Sequence, residues 1–418
     1  MKNIIIIGGG ASGYMAAISA ALKIKELRKE NEVKITILER CDKTGRKILA
    51  TGNGRCNLTN MNMGKQFYNG ADIEIVDKII NKFNVENTLQ LFKEMGLMVK
   101  IETDGNVYPY SLQASSVLDV LRNKAADLKV VERCSFEVSS IIRTNNKFIV
   151  KSKTGETVNA DILIIAAGGC SAKNLGSNGS GHILLNSLGH KISDVFPAIT
   201  QIRTEQEIVK SIQGNKVTGK FTLKIGNKTV YEDMGEILFT EYGISGPIAF
   251  KTARIVGKAI RENTKEQINA VIDLLPDMEY NKLVSLLSRR INIFEGKTIE
   301  RFMTGFINKR IGQAVIKVSG FNLADNISVL NLKNIDLLAK TLKNFTFRCI
   351  GTQDFQSSQV TAGGALLSEF NPETLESSLI PGLFVCGEVL DVDGECGGYN
   401  LQWAWSSGYT TGMAAAMK

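Results

Sequence analysis

The sequence predicts an α/β fold in which a parallel-sheet nucleotide-binding domain is built from both ends of the chain and interrupted by a β-rich insertion carrying a helical subdomain. Three observations lead there. Ile4 to Ile7 run directly into Gly8-Gly9-Gly10-Ala11-Ser12-Gly13. Two further apolar runs, Asp161 to Ala166 and Leu383 to Cys386, also end at glycines. Between about Asp194 and Phe355 the pattern changes to alternation and then to helical spacing.

Composition supports a folded chain. Of the 418 residues 44% are hydrophobic and 22% charged, which excludes disordered and fibrous classes. No apolar run approaches the roughly 18 to 20 residues of a membrane span. The N-terminal run gives way to glycines after Ile7, unlike a signal peptide, so a cytoplasmic protein is expected. Seven cysteines without a CxxC pair argue against a disulfide framework or a zinc ribbon, and two histidines, His182 and His190, are too few for a His-rich metal site. No metal is expected. The formal net charge of +8 reads as spread over the chain rather than gathered in a tail. It suits either a solvated surface or an anionic partner.

Ile4 to Ile7, β-branched and without alternation, read as a buried parallel strand. Gly8, Gly10 and Gly13 then match GxGxxG, with a helix from about Met15 to Arg28. Gly8 permits the tight turn, Gly10 lets the backbone approach a pyrophosphate, and Gly13 allows close helix packing. The helix's first amides, around Ala11 and Ser12, face the phosphates. A second strand, Lys34 to Leu38, ends at Glu39, beside Arg40, where a carboxylate can accept hydrogen bonds from a ribose. Strand, glycines, helix, strand and terminal acid together predict dinucleotide binding, leaving NAD or FAD.

The segment TGRKILATGNGRCNLTN, Thr44 to Asn60, is rich in turn residues and in amide and cationic donors, among them Arg46, Lys47, Arg55 and Asn57, with Gly54 and Cys56 shaping the loop. Such a loop can wrap an anionic or carbonyl-rich ligand. This segment resembles the signature of the HI0933-like flavoproteins. The resemblance continues at DILIIAAGGCSAKNLGSNGSGHILLNSLGH, ILFTEYGISGP and GLFVCGEVLDVDGECGGYNLQWAWSSG, and so spans the chain. It implies FAD, and a two-part Rossmann-like FAD-binding domain comprising residues 1–193 and 356–418. It also implies a substrate or cap domain at 194–355, helical from about 277 to 345.

The residues point to the same cofactor. The strand before Ala167-Gly168-Gly169 and the one before Gly387-Glu388 deliver glycines to the carboxyl edge of a parallel sheet, where ligands bind. Gly398-Tyr399-Asn400-Leu401 opens a C-terminal helix whose first amides can stabilise charge on a reduced flavin. Neither a second strand–GxGxxG–helix unit nor a redox cysteine pair is visible, so NAD(P)H is expected only as a diffusible electron donor. Cys386 and Cys396 are read as inert thiols.

In the insertion, GKFTLKIGNKTVYEDMGEILFT alternates about Gly226-Asn227 and predicts a hairpin. A helix is expected from Pro247 and a strand over Ile268 to Leu274. Leu, Ile and Phe at helical spacing follow. Where relatives often show a GRVFP-like block this chain has Gly105-Asn106-Val107-Tyr108-Pro109, losing an arginine. Where many members have a histidine after FT it has Glu241.

The expected function is therefore FAD-dependent oxidoreduction with hydride transfer at flavin N5. The resemblance implies reduction of a conjugated carbon–carbon double bond in a small, bile-acid-like molecule, or alternatively oxidation of a small amine of the aminoacetone type. A second alternative is a flavoprotein acting on RNA. It accords with the basic balance, but no basic stripe interleaved with aromatics is visible. Tyr399, Tyr242 and Glu241 have the chemistry of proton donors. The sequence assigns none of them that role.

Overall fold

The computed structural model describes all residues, 1–418. In chain order the elements used below are β1 (Lys2–Ile7), α1 (Ala11–Glu26), β2 (Val33–Leu38), α2 (Arg46–Ala50), β3 (Val131–Arg133) and β4 (Ile162–Ile165). There follow β5 (Ile202–Thr204), β6 (Lys216–Ile225), β7 (Lys228–Phe239), β8 (Gly243–Ser245), α3 (Pro247–Arg261), β9 (Ile268–Asp273), α4 (Tyr280–Ile293), α5 (Lys309–Val318), α6 (Leu332–Lys343) and β10 (Phe345–Thr352). The chain closes with β11 (Leu383–Val385) and α7 (Tyr399–Met417). Two compact units result: residues 1–198 with 355–418, and residues 199–354.

The first unit is organised by a five-stranded parallel sheet in the order β11-β4-β1-β2-β3. Its central strand shows why the isoleucine run has no polar alternation. Ile4 and Ile6 enter one apolar core, Ile5 and Ile7 the other, and all four are buried. A sheet covered on both faces requires this pattern.

Helix α7 returns the far terminus to α1. A Cβ at Gly408 would lie 2.6 Å from the Ser12 carbonyl oxygen, and one at Gly412 would lie 2.2 Å from that of Ala16. The two helices therefore pack backbone against backbone, which only small residues allow. Both tryptophans of WAWSSG tie α7 to other segments of the unit. Trp405 Nε1 donates to the Leu58 carbonyl at 2.9 Å, and Trp403 Nε1 to that of Gly387 at 3.1 Å. Buried Gln402 exchanges hydrogen bonds with Thr59, Thr88 and Ser406.

The second unit contains a closed six-stranded antiparallel barrel, β5-β8-β7-β6-β9-β10. The Gly226-Asn227 turn joins β6 to β7 as the alternation predicts. Helices α4, α5 and α6 present one apolar face each to a core that also holds Phe239, Phe345 and Phe347.

Placed on this architecture, the charge is not spread over the chain. The first unit holds 27 basic and 26 acidic residues, net +1, and the second 23 and 16, net +7. Within the second unit the whole excess falls between Tyr280 and Lys343, where eleven Lys and Arg face four Asp and Glu. The reading from composition missed this because the cations are interspersed among the apolar residues of amphipathic helices rather than contiguous.

Candidate functional site

The glycine turn divides its labour between packing and ligand approach. Gly8, at φ +109°, lies where a Cβ would be 2.3 Å from the Ala166 carbonyl oxygen, and a Cβ at Gly13 would be 2.0 Å from that of Gly8. Both positions are closed by the protein itself. At Gly10 a Cβ would meet nothing within 4 Å. Helix α1 begins there with no side-chain cap, its first intrahelical bond being Tyr14 N–H to the Gly10 carbonyl. The amides of Ala11, Ser12 and Gly13 thus open onto free space at a positive helix end. A phosphate fits this donor set.

Glu39 is held at the end of β2. One carboxylate oxygen accepts the Gly9 amide and the other that of Cys41, both at 2.8 Å. The side chain is nearly buried yet retains lone pairs for hydroxyl donors. Neighbouring Arg40 turns to the Gly176 carbonyl and Glu137.

Chain segments more than three hundred residues apart close the region. A Cβ at Gly387 would lie 2.3 Å from Ser12 Oγ, which places the end of β11 against the first turn of α1. Lys47, on α2, makes a half-buried ion pair with Glu388 at 2.6 Å, and the other Glu388 oxygen accepts the Thr361 amide at 2.8 Å. Gly169 packs on this pair, since its Cβ would be 2.4 Å from Thr361 Oγ1 and 3.0 Å from Glu388 Oε1. Gly168, at φ +70°, faces Ser177, and Ala167 is half-buried beside Gly181.

Helix α7 supplies a second uncapped start. Its N-cap is Gly398 at φ 91°, with no side-chain cap, ahead of Tyr399, Asn400 and Leu401. A Cβ at Gly398 would be 2.6 Å from the Thr59 carbonyl oxygen and 3.0 Å from Asn57 Oδ1. Asn57 donates to Asn106 Oδ1 at 2.5 Å, and Asn60 donates to the Gly397 carbonyl at 2.9 Å. Asn106 therefore belongs to the network around the start of α7. Asn400 exchanges two bonds with the Gly394 backbone, at 2.8 and 2.7 Å, and Leu401 packs on the core.

Other loop residues lie apart. Arg46 is exposed and pairs with Asp42 at 3.4 Å, while Arg55 lies over the Tyr108 ring at 4.6 Å. Gly54 and Cys56 shape the turn with φ of 82° and 58°. Burial pushes the Cys56 thiol up to about 11 and that of Cys386 up to about 12, so neither is a thiolate near neutrality. All seven cysteines are free. Tyr399, pushed up to about 12 chiefly by burial, keeps its proton and donates toward the Asn62 carbonyl at 3.4 Å. Tyr242 and Glu241 lie in the second unit, in the turn between β7 and β8. The sequence reading missed Thr361 and noted Asn106 only as a departure from the family block. Nothing local marks Thr361, and the partners of both residues lie in distant segments.

Two uncapped helix starts, a fixed acid at the end of the second strand and glycines at the ends of three parallel strands define a dinucleotide-binding architecture. The HI0933-like protein Rossmann domain matches residues 2–414, and the chain belongs to that family. By that membership it is an FAD-dependent oxidoreductase. A 3-dehydro-bile acid delta(4,6)-reductase from Clostridium scindens is 36% identical, covering 100% of this chain and 99% of its own. The ribosomal RNA dihydrouridine synthase of Escherichia coli is 26% identical over 97% of this chain and 96% of its own. Its Haemophilus influenzae counterpart is 26% identical over 98% and 97%. Among solved structures, a variant of Escherichia coli quinol fumarate reductase FrdA superposes with a TM-score of 0.52 at 14% identity, covering 100% of this chain and 71% of that one. That likeness concerns the fold. No helix is long and apolar enough to cross a membrane.

Proposed function

We propose that the protein reduces a carbon–carbon double bond conjugated to a carbonyl, with NAD(P)H as electron donor. The observation that carries this reading is that the three relatives cover nearly the whole chain and share one reaction type. Reduction of the delta(4,6) unsaturation of a 3-oxo steroid and formation of dihydrouridine both saturate an alkene in conjugation with a carbonyl. When bound, FAD supplies hydride at N5.

The chain's own residues would bind and orient the cofactor. The α1 amides at Ala11, Ser12 and Gly13 would hold the diphosphate, with open space at Gly10 for its approach. Glu39 would accept from ribose hydroxyls. The α7 amides at Tyr399, Asn400 and Leu401 would face negative charge on the reduced ring. The Lys47–Glu388 pair holds the loop after β11 against α2 and leaves Arg46 and Arg55 to the surface.

Anaerobic stopped-flow mixing of the purified protein tests this reading. NADPH or NADH should bleach the flavin, and a 3-oxo-4,6-diene steroid or a uridine-containing RNA should restore its colour. Bleaching by aminoacetone alone, with reoxidation only by oxygen, would establish the amine-oxidase alternative. A bile-acid-like small molecule is the first substrate reading, from the 36% identical relative. The second is the C5=C6 bond of a uridine in RNA. It is favoured by the two dihydrouridine synthases together with the +7 excess confined to Tyr280–Lys343.

A further inference from the structure

We infer that α4, α5 and the segment between them form an RNA-docking face that binds the phosphate backbone. This rests on the RNA reading of the substrate given above. The excess charge has a definite address. Along α4, Lys282, Ser285, Arg289 and Ile293 recur at helical spacing, and all are exposed. They line an open groove of about 670 Å³ together with Asn281, Leu286 and Arg290.

Arg290 ties the end of α4 to the following segment. Its guanidinium donates to the carbonyls of Phe302 and Thr304, both at 2.8 Å, and lies 5.1 Å from the Phe294 ring and 5.3 Å from that of Phe306. Glu300 ties that segment to α5, accepting from Gln313 at 2.8 Å with Lys309 at 3.8 Å. These links join α4, through the segment that carries the exposed Arg301, to α5 with its exposed Arg310 and Lys317.

Pairing sorts the cations. Lys282, Lys309 and Lys340 have carboxylate partners, and Arg290 is spent on backbone carbonyls. Arg289, Arg301, Arg310 and Lys317 are exposed and make no ion pair. Four unpaired cations displayed from two helices and their connection suit a polyanion whose charges are spaced along a backbone. The α4 stripe offers only Ile293 as an exposed large apolar side chain. That is too little for a helix that lies in lipid.

The test is fluorescence anisotropy of a labelled RNA stem-loop with unpaired uridines against the flavin-loaded, full-length protein, at several salt concentrations. An R289A/R310A/K317A variant serves as comparison, with its flavin spectrum and Tm checked against the parent. The parent should bind with a steep salt dependence. The variant should bind at least about tenfold more weakly, and its log–log salt slope should be shallower by about two to three. Equal affinity and slope in the two proteins, or no RNA binding by the parent, would overturn the proposal. So would loss by the variant of binding to anionic phospholipid vesicles but not to RNA. Dihydrouridine content of the bound RNA after reduction is read separately. RNA held through these residues but never reduced would refute the substrate reading and leave the docking face standing. Reduction unaffected by the triple substitution would do the reverse.

Discussion

Each compact unit contains a pair of helices whose starts contrast with those of a pair in the other. In the first, α1 and α7 start at Gly10 and Gly398 with no side-chain cap. In the second, α5 and α6 start at Asn308 and Asn331, whose side chains accept from the Arg310 and Asn334 amides at 3.0 Å each. An asparagine cap completes a helix within the chain. The glycine starts of α1 and α7 leave their first amides without a side-chain partner, where a ligand would find them. The charge divides the other way, net +1 where the cofactor would bind and +7 in the insertion. The first unit would meet an anion with oriented backbone dipoles, and the second with exposed side-chain cations. Enclosure of a cofactor calls for the former, and a large exposed polyanion is met by the latter.

The largest effect that can break this comparison lies within the glycine turn. Gly10→Val should leave a folded protein of near-parental Tm, because φ is −88° and a Cβ there meets nothing. It should purify without flavin absorbance, since the new side chain fills the space a phosphate needs. Gly8→Val, at φ +109° and 2.3 Å from a backbone oxygen, should fail to fold. A yellow, stoichiometrically loaded Gly10→Val protein would refute the placement of the diphosphate.

Next in size is the contact between the two uncapped helices. Gly412→Val drives a side chain into the Ala16 carbonyl region, where a Cβ alone would be 2.2 Å from the oxygen. It should cost about 3 kcal/mol or more, read as a lower denaturation midpoint with accompanying loss of flavin. In the insertion, Arg290→Ala removes two charged hydrogen bonds and the packing among Phe294, Phe302 and Phe306. It should lower stability by about 2 to 3 kcal/mol without changing the flavin spectrum. Asn331→Ala should cost only about 1 kcal/mol, again with the spectrum unchanged. Loss of flavin in either insertion variant would blur the distinction between the units.

The sheet and its glycines were legible because their signals are local. An isoleucine run without alternation can only be covered on both faces, and a glycine triplet at its end can only be a turn. Ser12 with Gly387, Lys47 with Glu388, and Asn57 with Asn106 were not legible as partners, because contacts across 49 to 375 positions leave no spacing to read. Arg46 and Arg55 show the converse. Their position in a donor-rich loop made them candidates for ligand contact, but Asp42 and the Tyr108 ring lie closer at hand. The charge was visible as a total and hidden as a distribution, since Arg289, Arg310 and Lys317 sit on outer helix faces whose inner faces are apolar. Only the helices' orientation turns such a sequence into a surface.

The smallest predicted effect concerns His182, which lies in the first unit with Nδ1 facing the Cys170 sulfur at 3.6 Å. Burial holds its pKa below the ordinary value of 6.5, and the charge of Glu388 offsets this only in part. In the unfolded chain the imidazole takes up its proton near 6.5, whereas the folded chain resists protonation until a lower pH. The unfolded state then binds more protons, so stability is full above 6.5 and declines as pH falls toward the folded-state value. The Cys170 thiol, raised above 9.0, is protonated in both states and contributes nothing in this window. His182→Gln should therefore flatten the acid limb of Tm against pH below 6.5, by no more than the about 1.4 kcal/mol per pH unit that one proton allows. The shape of the curve, rather than its height, carries the test, because the substitution shifts stability at every pH through packing alone. An acid limb of the same slope in parent and variant would mean that the folded protein accommodates a charged imidazole, with Glu388 compensating it in spite of its ion pair with Lys47.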